Sequence, residues 1–388
     1  MIFMLVAMTV LAIVYGYMGR RVVGSLPLSV GWKRLLRIYL FLCWVCSPVP
    51  IVLRFQGVDM GATDWLSWFV YLNMGVASLV FACFIVLDMT LALMAFLRRL
   101  LTARPPALND SRRQFIANSM NIGVLGLAGA ASGFGVAEAL GEITVKHVAY
   151  PIENLPKGLE SLRIVQFTDL HVGPTIKRAY VERVVETIQG LNPDIIVMTG
   201  DMVDGLVEHL KHDVAPLGEL KATYGKFFIT GNHEYYSGAP EWVGEMRRLG
   251  YRTLLNEHEL IEHAGGRLLL AGVTDYKAHQ YIPEHRSSPK KAMEGAPNAD
   301  VKLLLAHQPR SLFAAAEAGF DIQISGHTHG GQYYPWVYFA AVANPYIKGL
   351  HRHDDKMWVY VSSGTGYWGP PVRIGTEPEV TLHTLRAA

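Results

Sequence analysis

No stretch of this sequence restricts the fold more than residues 65–97, an apolar run broken only by Asp88. A bilayer core about 30 Å thick needs about 20 residues of helix, and inside it a helix satisfies its own backbone. Three further runs of this kind, 1–19, 38–55 and 122–140, share the N-terminal third. An all-α membrane region of about four transmembrane helices is therefore expected over residues 1–141. Arg20 and Arg21 close the first run, and a basic linker with Lys33, Arg34 and Arg37 follows. Pro48 and Pro50 interrupt the second run. Arg54, Asp59 and Asp64 mark a polar turn, and Trp65 and Trp68 suit a membrane interface. An intramembrane carboxylate such as Asp88 is a functional hypothesis by default, but its place near the end of a long span predicts that it reaches water.

Arg98, Arg99 and Arg104 make a second basic linker, leading to Ser111-Arg112-Arg113-Gln114-Phe115-Ile116. The twin arginine before an apolar run is similar to a twin-arginine export signal; it reads equally as the basic flank of a fourth membrane helix. Ala137-Glu138-Ala139 resembles a signal-peptidase site, and the uncleaved reading is preferred. Basic linkers stay in the cytoplasm. The N-terminus is then outside, the spans alternate, and the part after Glu142 is expected on the extracytoplasmic side of the cell membrane. Cys43, Cys46 and Cys83 all lie in the apolar third, where packing explains them better than redox or metal use. The formal net charge of +2 provides no field for nucleic acid, and the membrane lipid bilayer is the expected macromolecular partner.

From residue 142 to 388 the chain reads as an ordinary soluble domain. Residues 162–167 form an apolar run that ends at Thr168-Asp169-Leu170-His171. An amphipathic helix is expected over 178–189, with Val181, Val184, Val185 and Ile188 on one face. Residues 194–198 run into Gly200-Asp201, and 205–221 offer another helix. Residues 226–229 run into Gly231-Asn232-His233-Glu234. Residues 251–273 hold strands with a hairpin signal at Gly265-Gly266. Residues 301–306 run into His307, 311–318 suggest a short helix, and 320–324 lead to Gly326-His327-Thr328-His329-Gly330. Residues 357–361 and 379–385 look like closing strands. Polar residues after strand C-termini mark the ligand-binding edge of an open α/β sheet.

Seven candidate metal ligands follow apolar strands: Asp169, His171, Asp201, Asn232, His307, His327 and His329. Each alone has a plain reading, since Asp often caps a helix and Asn often sits in a turn. As an ordered set of N and O donors they suit divalent Mn, Fe or Zn. Asp201 is able to bridge two ions through its two oxygens.

In order and residue type, Asp169-x-His171, Gly200-Asp201, Gly231-Asn232-His233-Glu234, His307 and Gly326-His327-x-His329 resemble the calcineurin-like metallophosphoesterase family. The resemblance covers roughly residues 160–385. It implies a four-layer α/β/β/α sandwich of two sheets flanked by helices. It also implies two divalent metal ions, one held by Asp169, His171 and His329, the other by Asn232, His307 and His327, with Asp201 bridging. His233 would then be the catalytic histidine and not a ligand. Gly330-Gly331-Gln332 after the last ligand and Pro371-Val372-Arg373-Ile374-Gly375 are similar to a membrane-associated branch. That branch includes transmembrane proteins with a metallophosphoesterase domain and some UDP-2,3-diacylglucosamine hydrolases of lipid A synthesis. The implied activity is hydrolysis of phosphodiester or pyrophosphate bonds of a small-molecule or lipid substrate by metal-activated water. Two alternatives stand beside it: a UDP-2,3-diacylglucosamine hydrolase, and a catalytically inactive fold serving as a binding module in a membrane complex. A transporter is disfavoured, since one isolated acidic residue offers little for a pathway.

Several other residues carry expectations. Glu234 reads either as an orienter of His233 or as a surface carboxylate, and Asp204 as a cap for the helix near Gly205. Arg373 is a possible phosphate contact. His351-Arg352-His353, beside Asp354, Asp355 and Lys356, reads as a solvated turn. His258, His263, His279 and His285 read as surface residues. The aromatic segment 333–350 reads as packed core, with an apolar lid or membrane-dipping flap as the alternative. Lys277, Arg286, Lys290 and Lys291 offer charge to anionic headgroups.

Overall fold

The computed structural model describes residues 2–55, 63–101, 109–355 and 357–388. Asp59, Arg104 and Lys356 lie outside them, as does most of the polar turn read at 54–64. Two compact units result. The first comprises Met1–Val58, Ala62–Ala137 and Gly369–Val372; the second comprises Asp59–Gly61, Glu138–Trp368 and Arg373–Ala388.

The first unit is helical: α1 (Ile2–Tyr17), α2 (Val30–Cys46), α3 (Val49–Phe55), α4 (Asp64–Leu101) and α5 (Asp110–Leu140). Among the described residues, four helical stretches are long and apolar enough to cross a membrane: Leu5–Ser25, Val30–Leu53, Asp64–Leu101 and Asp110–Leu140. Pro48 lies between α2 and α3 and Pro50 in the first turn of α3, where a missing N–H is tolerated. Two sequence expectations are corrected here. Arg20 and Arg21 do not end the first helix, which continues through a π-helical turn at Met18–Val22. Lys33, Arg34 and Arg37 sit on α2 and not in a linker. Asp88, part-exposed, is also paired. It accepts from Arg21 at 2.6 Å and from the Tyr17 hydroxyl at 2.7 Å, and Arg21 reaches on to Asn121 at 3.2 Å. A charge in an apolar bundle is stable when paired, which the run of residues around Asp88 does not reveal.

The second unit contains two six-stranded sheets. The first has the order β1-β12-β2-β3-β4-β5, built from Thr144–Ile152, Glu379–Ala387, Ile164–Phe167, Ile195–Met198, Lys226–Phe228 and Tyr251–Thr253. The second has the order β10-β11-β9-β8-β7-β6, built from Gly349–Arg352, Trp358–Val361, Ile322–Ser325, Val301–Leu305, Gly266–Gly272 and Glu257–His263. Both are mixed: β2 to β5 run parallel, as do β7, β8, β9 and β11, while β12–β2, β6–β7 and β10–β11 are antiparallel.

Alternation along the strands builds the layers. Ile195 and Val197 face the core between the sheets, where Leu268, Leu270, Leu303 and Leu305 meet them. Ile196 and Met198 face the opposite way, onto helices α6 (Arg178–Gly190), α7 (Val207–Val214) and α9 (Ala239–Arg248), through Val181, Val184, Leu210 and Trp242. A short helix, α8 (Asn232–Tyr236), precedes α9. On the far side Leu304, Val359 and Val361 pack on Leu312 and Ala315 of α10 (Leu312–Glu317). A strand buried on both faces needs apolar residues at consecutive positions, so these strands read as continuous runs. The result is the α/β/β/α sandwich expected of the family.

The sequence reading had no counterpart for β1, α9 or β10. His351 and Arg352 belong to β10 and not to a turn; His351 stacks on Tyr346 at 4.2 Å. His258, His263 and His285 are half-buried and hydrogen-bonded, to Ala292, to Tyr224 and Ser161, and to Tyr235; His279 is half-buried. The packed-core reading of 333–350 holds for Tyr333, which is buried, and for Tyr346, which packs on the core, but not for helix α11 (Trp336–Ala343), which has no buried residue.

Candidate metal centre

Five loops leave the C-terminal ends of β2, β3, β4, β8 and β9, and each brings polar side chains to one place. The loops approach so closely that side chains on their glycines would collide: a Cβ at Gly326 would strike Asp169, and one at Gly231 would strike Asp201. Asp169, His171, Asp201, His327 and His329 all adopt positive φ, between 50° and 74°. Such backbone costs of order 1–3 kcal/mol per residue and clusters at functional sites.

Six of the seven sequence-predicted ligands are gathered here together with His233, and the seventh, Asn232, adjoins His233 at the start of α8. Three donor clusters form: Asp169, His171 and His329; His171, Asp201 and His233; Asp201, His307 and His327. His171 Nε2 lies 3.0 Å from His329 Nε2, and His329 Nε2 lies 3.6 Å from Asp169 Oδ1. His307 Nε2 lies 3.1 Å from Asp201 Oδ2 and 3.2 Å from His327 Nδ1. Asn232 Oδ1 is buried without a hydrogen-bond partner. Burial without a partner costs about 1–3 kcal/mol, and a cation would offset it. These residues fit divalent ions: carboxylate, amide and imidazole atoms converge with lone pairs directed at one another.

The supporting contacts fix these atoms. His307 Nδ1 lies 2.9 Å from the Thr199 carbonyl, which orients the ring and leaves Nε2 toward Asp201. The His327 amide donates to both oxygens of Asp169 at 2.9 and 3.0 Å. The His233 amide donates to Asp201 Oδ1 at 2.8 Å. Burial, then the positive neighbour His307, lowers His327 to about 3. Burial, then His171 and Arg373, holds His329 well below the ordinary histidine value. Both are thus neutral imidazoles, the form a metal ligand requires. Burial opposes protonation of His307, but Asp201 and Asp169 overcome it and raise it to about 10. The paired carboxylates therefore draw positive charge to this point.

Three side chains take roles the sequence did not reveal. Asp204 does not cap α7, whose first turn has no side-chain cap. Its Oδ1 lies 2.5 Å from His233 Nδ1 and 3.4 Å from His171 Nδ1. Glu234 is neither a surface carboxylate nor a partner of His233. It is fully buried and accepts the amides of Gly231, Asp201 and Met202 at 2.6, 3.0 and 2.8 Å. Burial, then Asp201, pushes its carboxyl up to about 7. Arg373 is also fully buried. It donates to the carbonyls of Ser363, Gly364 and Gly366 and lies 3.4 Å from His329 Nδ1, so it braces that ligand and is not open to a phosphate.

His233 closes the arrangement. Its Nε2 lies 3.9 Å from Asp201 Oδ2, and its ring meets His171 edge-on at 4.6 Å. Tyr236 and Trp368, both part-exposed, flank it at 5.1 and 5.7 Å. Those two aromatics escaped the sequence reading, although Tyr236 lies three residues after His233 and Trp368 three before Pro371.

Residues 162–331 match the family model of calcineurin-like phosphoesterases. A protein of Danio rerio named transmembrane protein with metallophosphoesterase domain is 37% identical over 66% of this chain and 60% of its own length. Its namesake in Bos taurus is 38% identical over the same shares. A protein of Helicobacter pylori named uncharacterized metallophosphoesterase is 35% identical over 71% of this chain and 72% of its own length. The chain thus spans 60% of the length of the two vertebrate relatives.

Proposed function

Because the chain belongs to the calcineurin-like phosphoesterase family, we propose that it is a membrane-anchored hydrolase of phosphodiester or pyrophosphate bonds that works with two divalent ions on a lipid-linked or headgroup substrate. The observation that carries this reading is the convergence of the three donor clusters, two of which share Asp201.

Asp169, His171 and His329 would hold one ion, Asn232, His307 and His327 the other, and Asp201 would serve both. When bound, such ions neutralise phosphate oxygens and make hydroxide available near neutral pH. The protein's own residues do the rest. His233 presents Nε2 toward the site while Asp204 holds Nδ1. That aims Nε2 at the site for proton transfer with the leaving group and fixes the orientation of the ring. Glu234 keeps the loops after β3 and β4 in register, so that Asp201 and Asn232 stay aligned. Two such cations would offset the negative charge that builds on the phosphoryl oxygens during hydrolysis.

The extracytoplasmic placement of the domain belongs to this reading and rests on the basic residues around 20–37 and 98–113. A pure binding module would not need His233 backed by Asp204, which favours the enzyme.

The test uses the purified full chain, loaded with Mn, Fe or Zn, against phosphomonoesters, phosphodiesters, UDP-diacylglucosamine and phospholipids. Hydrolysis of a diester or pyrophosphate that chelation abolishes is expected. Asp201→Asn should lose both ions by elemental analysis. Full metal content in that variant would overturn the ligand assignment, and silence on every substrate would overturn the enzyme.

A further inference from the structure

Helix α11 is unusual for a soluble domain. Its sequence, Trp336-Val337-Tyr338-Phe339-Ala340-Ala341-Val342-Ala343, contains no charged residue, and none of it is buried. Tyr338 is 66% exposed, Phe339 64% and Val342 89%. Tyr334 and Trp336 extend the exposed apolar surface at the N-terminal end. A helix meant for a protein groove carries one apolar stripe opposite a polar face. This one is apolar on every side, which suits a bulk apolar medium.

The segment is held firmly at its base. A Cβ at Gly331 would collide with Val337, so the helix rests on the loop that carries His327 and His329. Thr328 donates to the Ile347 carbonyl at 2.6 Å, and Arg310 to the Ala343 carbonyl at 2.7 Å. Arg310 and Lys348 are exposed beside it, cations suited to anionic headgroups. Tyr334, Trp336 and Tyr338 are the residue types of the membrane interface. The chain supplies the bilayer itself: α5 ends at Leu140 and β1 begins at Thr144, so the domain emerges directly from a candidate span.

We propose that α11 docks into the headgroup–acyl boundary of the bilayer that anchors this chain, and that it delivers a phosphoester borne on an acylated lipid to the adjoining His327–His329 loop. The inference rests on the reading of the function given above. It narrows the substrate to an amphiphile whose tail stays in the bilayer while its phosphate reaches the metal ligands.

Full-length protein in nanodiscs provides the test. In a background with Cys43, Cys46 and Cys83 changed to Ser, Val342→Cys carries an environment-sensitive dye, and Glu294→Cys serves as a water-exposed reference. Nitroxide lipids should quench the dye at 342 and iodide should not, with the reverse at 294. Iodide quenching at 342, or dye–dye self-quenching between two copies, overturns the docking. Separately, Phe339→Asp with Val342→Asp should lower kcat/KM on vesicle-borne lipid phosphodiester by ~10-fold or more, and leave a soluble nitrophenyl diester within ~2-fold. Equal loss on both, or no loss on either, overturns the delivery role. Wild-type protein inert toward the soluble diester would instead count against the phosphoesterase reading, while the dye still decides where α11 lies.

Discussion

Asp204 and His233 form a part-buried dyad, with Oδ1 of the one 2.5 Å from Nδ1 of the other. The contact ties the loop after β3 to the first turn of α8, and it leaves His233 Nε2 facing Asp201. An imidazole held in this way keeps one tautomer and one orientation.

His233→Asn should therefore keep its metal and lose ~10²-fold or more in kcat, the usual scale of general acid–base catalysis. Asp204→Asn should lose about tenfold, because the ring remains but is no longer fixed. The double variant should be no worse than His233→Asn alone, since both act through one group. Multiplying losses would mean that Asp204 acts elsewhere, and metal loss in His233→Asn would make that residue a ligand.

Glu234 supports the same loops from below. Its two oxygens accept three backbone amides, and nothing else among the described residues is placed to accept them. Glu234→Gln puts an amide donor against those donors. A loss of roughly 2–3 kcal/mol is expected, the value of hydrogen bonds to a charged group. For a domain of this size that lowers the thermal midpoint by roughly 5–10 °C, which calorimetry of the chelated protein measures. An unchanged midpoint would remove Glu234 from the structural frame.

Much of this was legible in the sequence because it is written at strand ends. Runs such as 194–198 and 301–306 are apolar at consecutive positions, and the residue after each run has to leave the sheet. The ligand motifs sit at those strand ends, and the sandwich was what their resemblance to the family implied. The roles of Asp204, Glu234 and Arg373 did not, because they depend on which way a side chain turns after the strand. Asp204 precedes a helix, as a cap would, yet turns back to His233. Glu234 adjoins His233 in sequence but points toward Met202. Arg373 looked available to a phosphate because sequence does not reveal the three carbonyls that enclose it. The apolar run 336–343 has no polar face to set its orientation, so core and flap read alike.

His383 gives a pH dependence of known sign. It is fully buried between the Tyr150 hydroxyl, 2.8 Å from Nδ1, and Gln166 Oε1, 3.0 Å from Nε2. Burial lowers it to about 3, against 6.5 for the free side chain. Below pH 6.5 the unfolded chain binds a proton that the folded chain refuses, so stability present at neutral pH is lost as pH falls from 6.5 toward 3. Between pH 6.5 and 5 the loss is about 2 kcal/mol. Glu234, whose carboxyl is raised, works in the opposite direction. The comparison is therefore between wild type and His383→Gln, both chelated. The variant's stability should fall less on acidification; parallel curves would show that His383 already accepts a proton in the folded protein.

Topology bears most directly on the substrate. Arg20, Arg21, Lys33, Arg34 and Arg37 lie toward the end of the first candidate span and the start of the second, and Arg98, Arg99, Arg112 and Arg113 at the end of the third and the start of the fourth, with Arg104 between those two in sequence. The turn between them carries little positive charge. Lys and Arg favour the cytoplasmic side, so the proposed topology has α5 running outward and the domain outside. A reporter fused after Ala388 that works only when exported should be active, and one that works only in the cytoplasm should stay dark. The reverse would make a nucleotide-linked lipid precursor, which is made inside, the leading substrate. Arg112 and Arg113 sit in the first turn of a continuous helix that starts at Asp110. Changing both to Lys preserves the charge that orients a span but removes the twin-arginine pattern. Export that survives the change means that α5 crosses as an ordinary helix and that the metal site is filled outside. Export that fails while the first three spans still insert means that the domain is carried out folded, with its ions acquired in the cytoplasm.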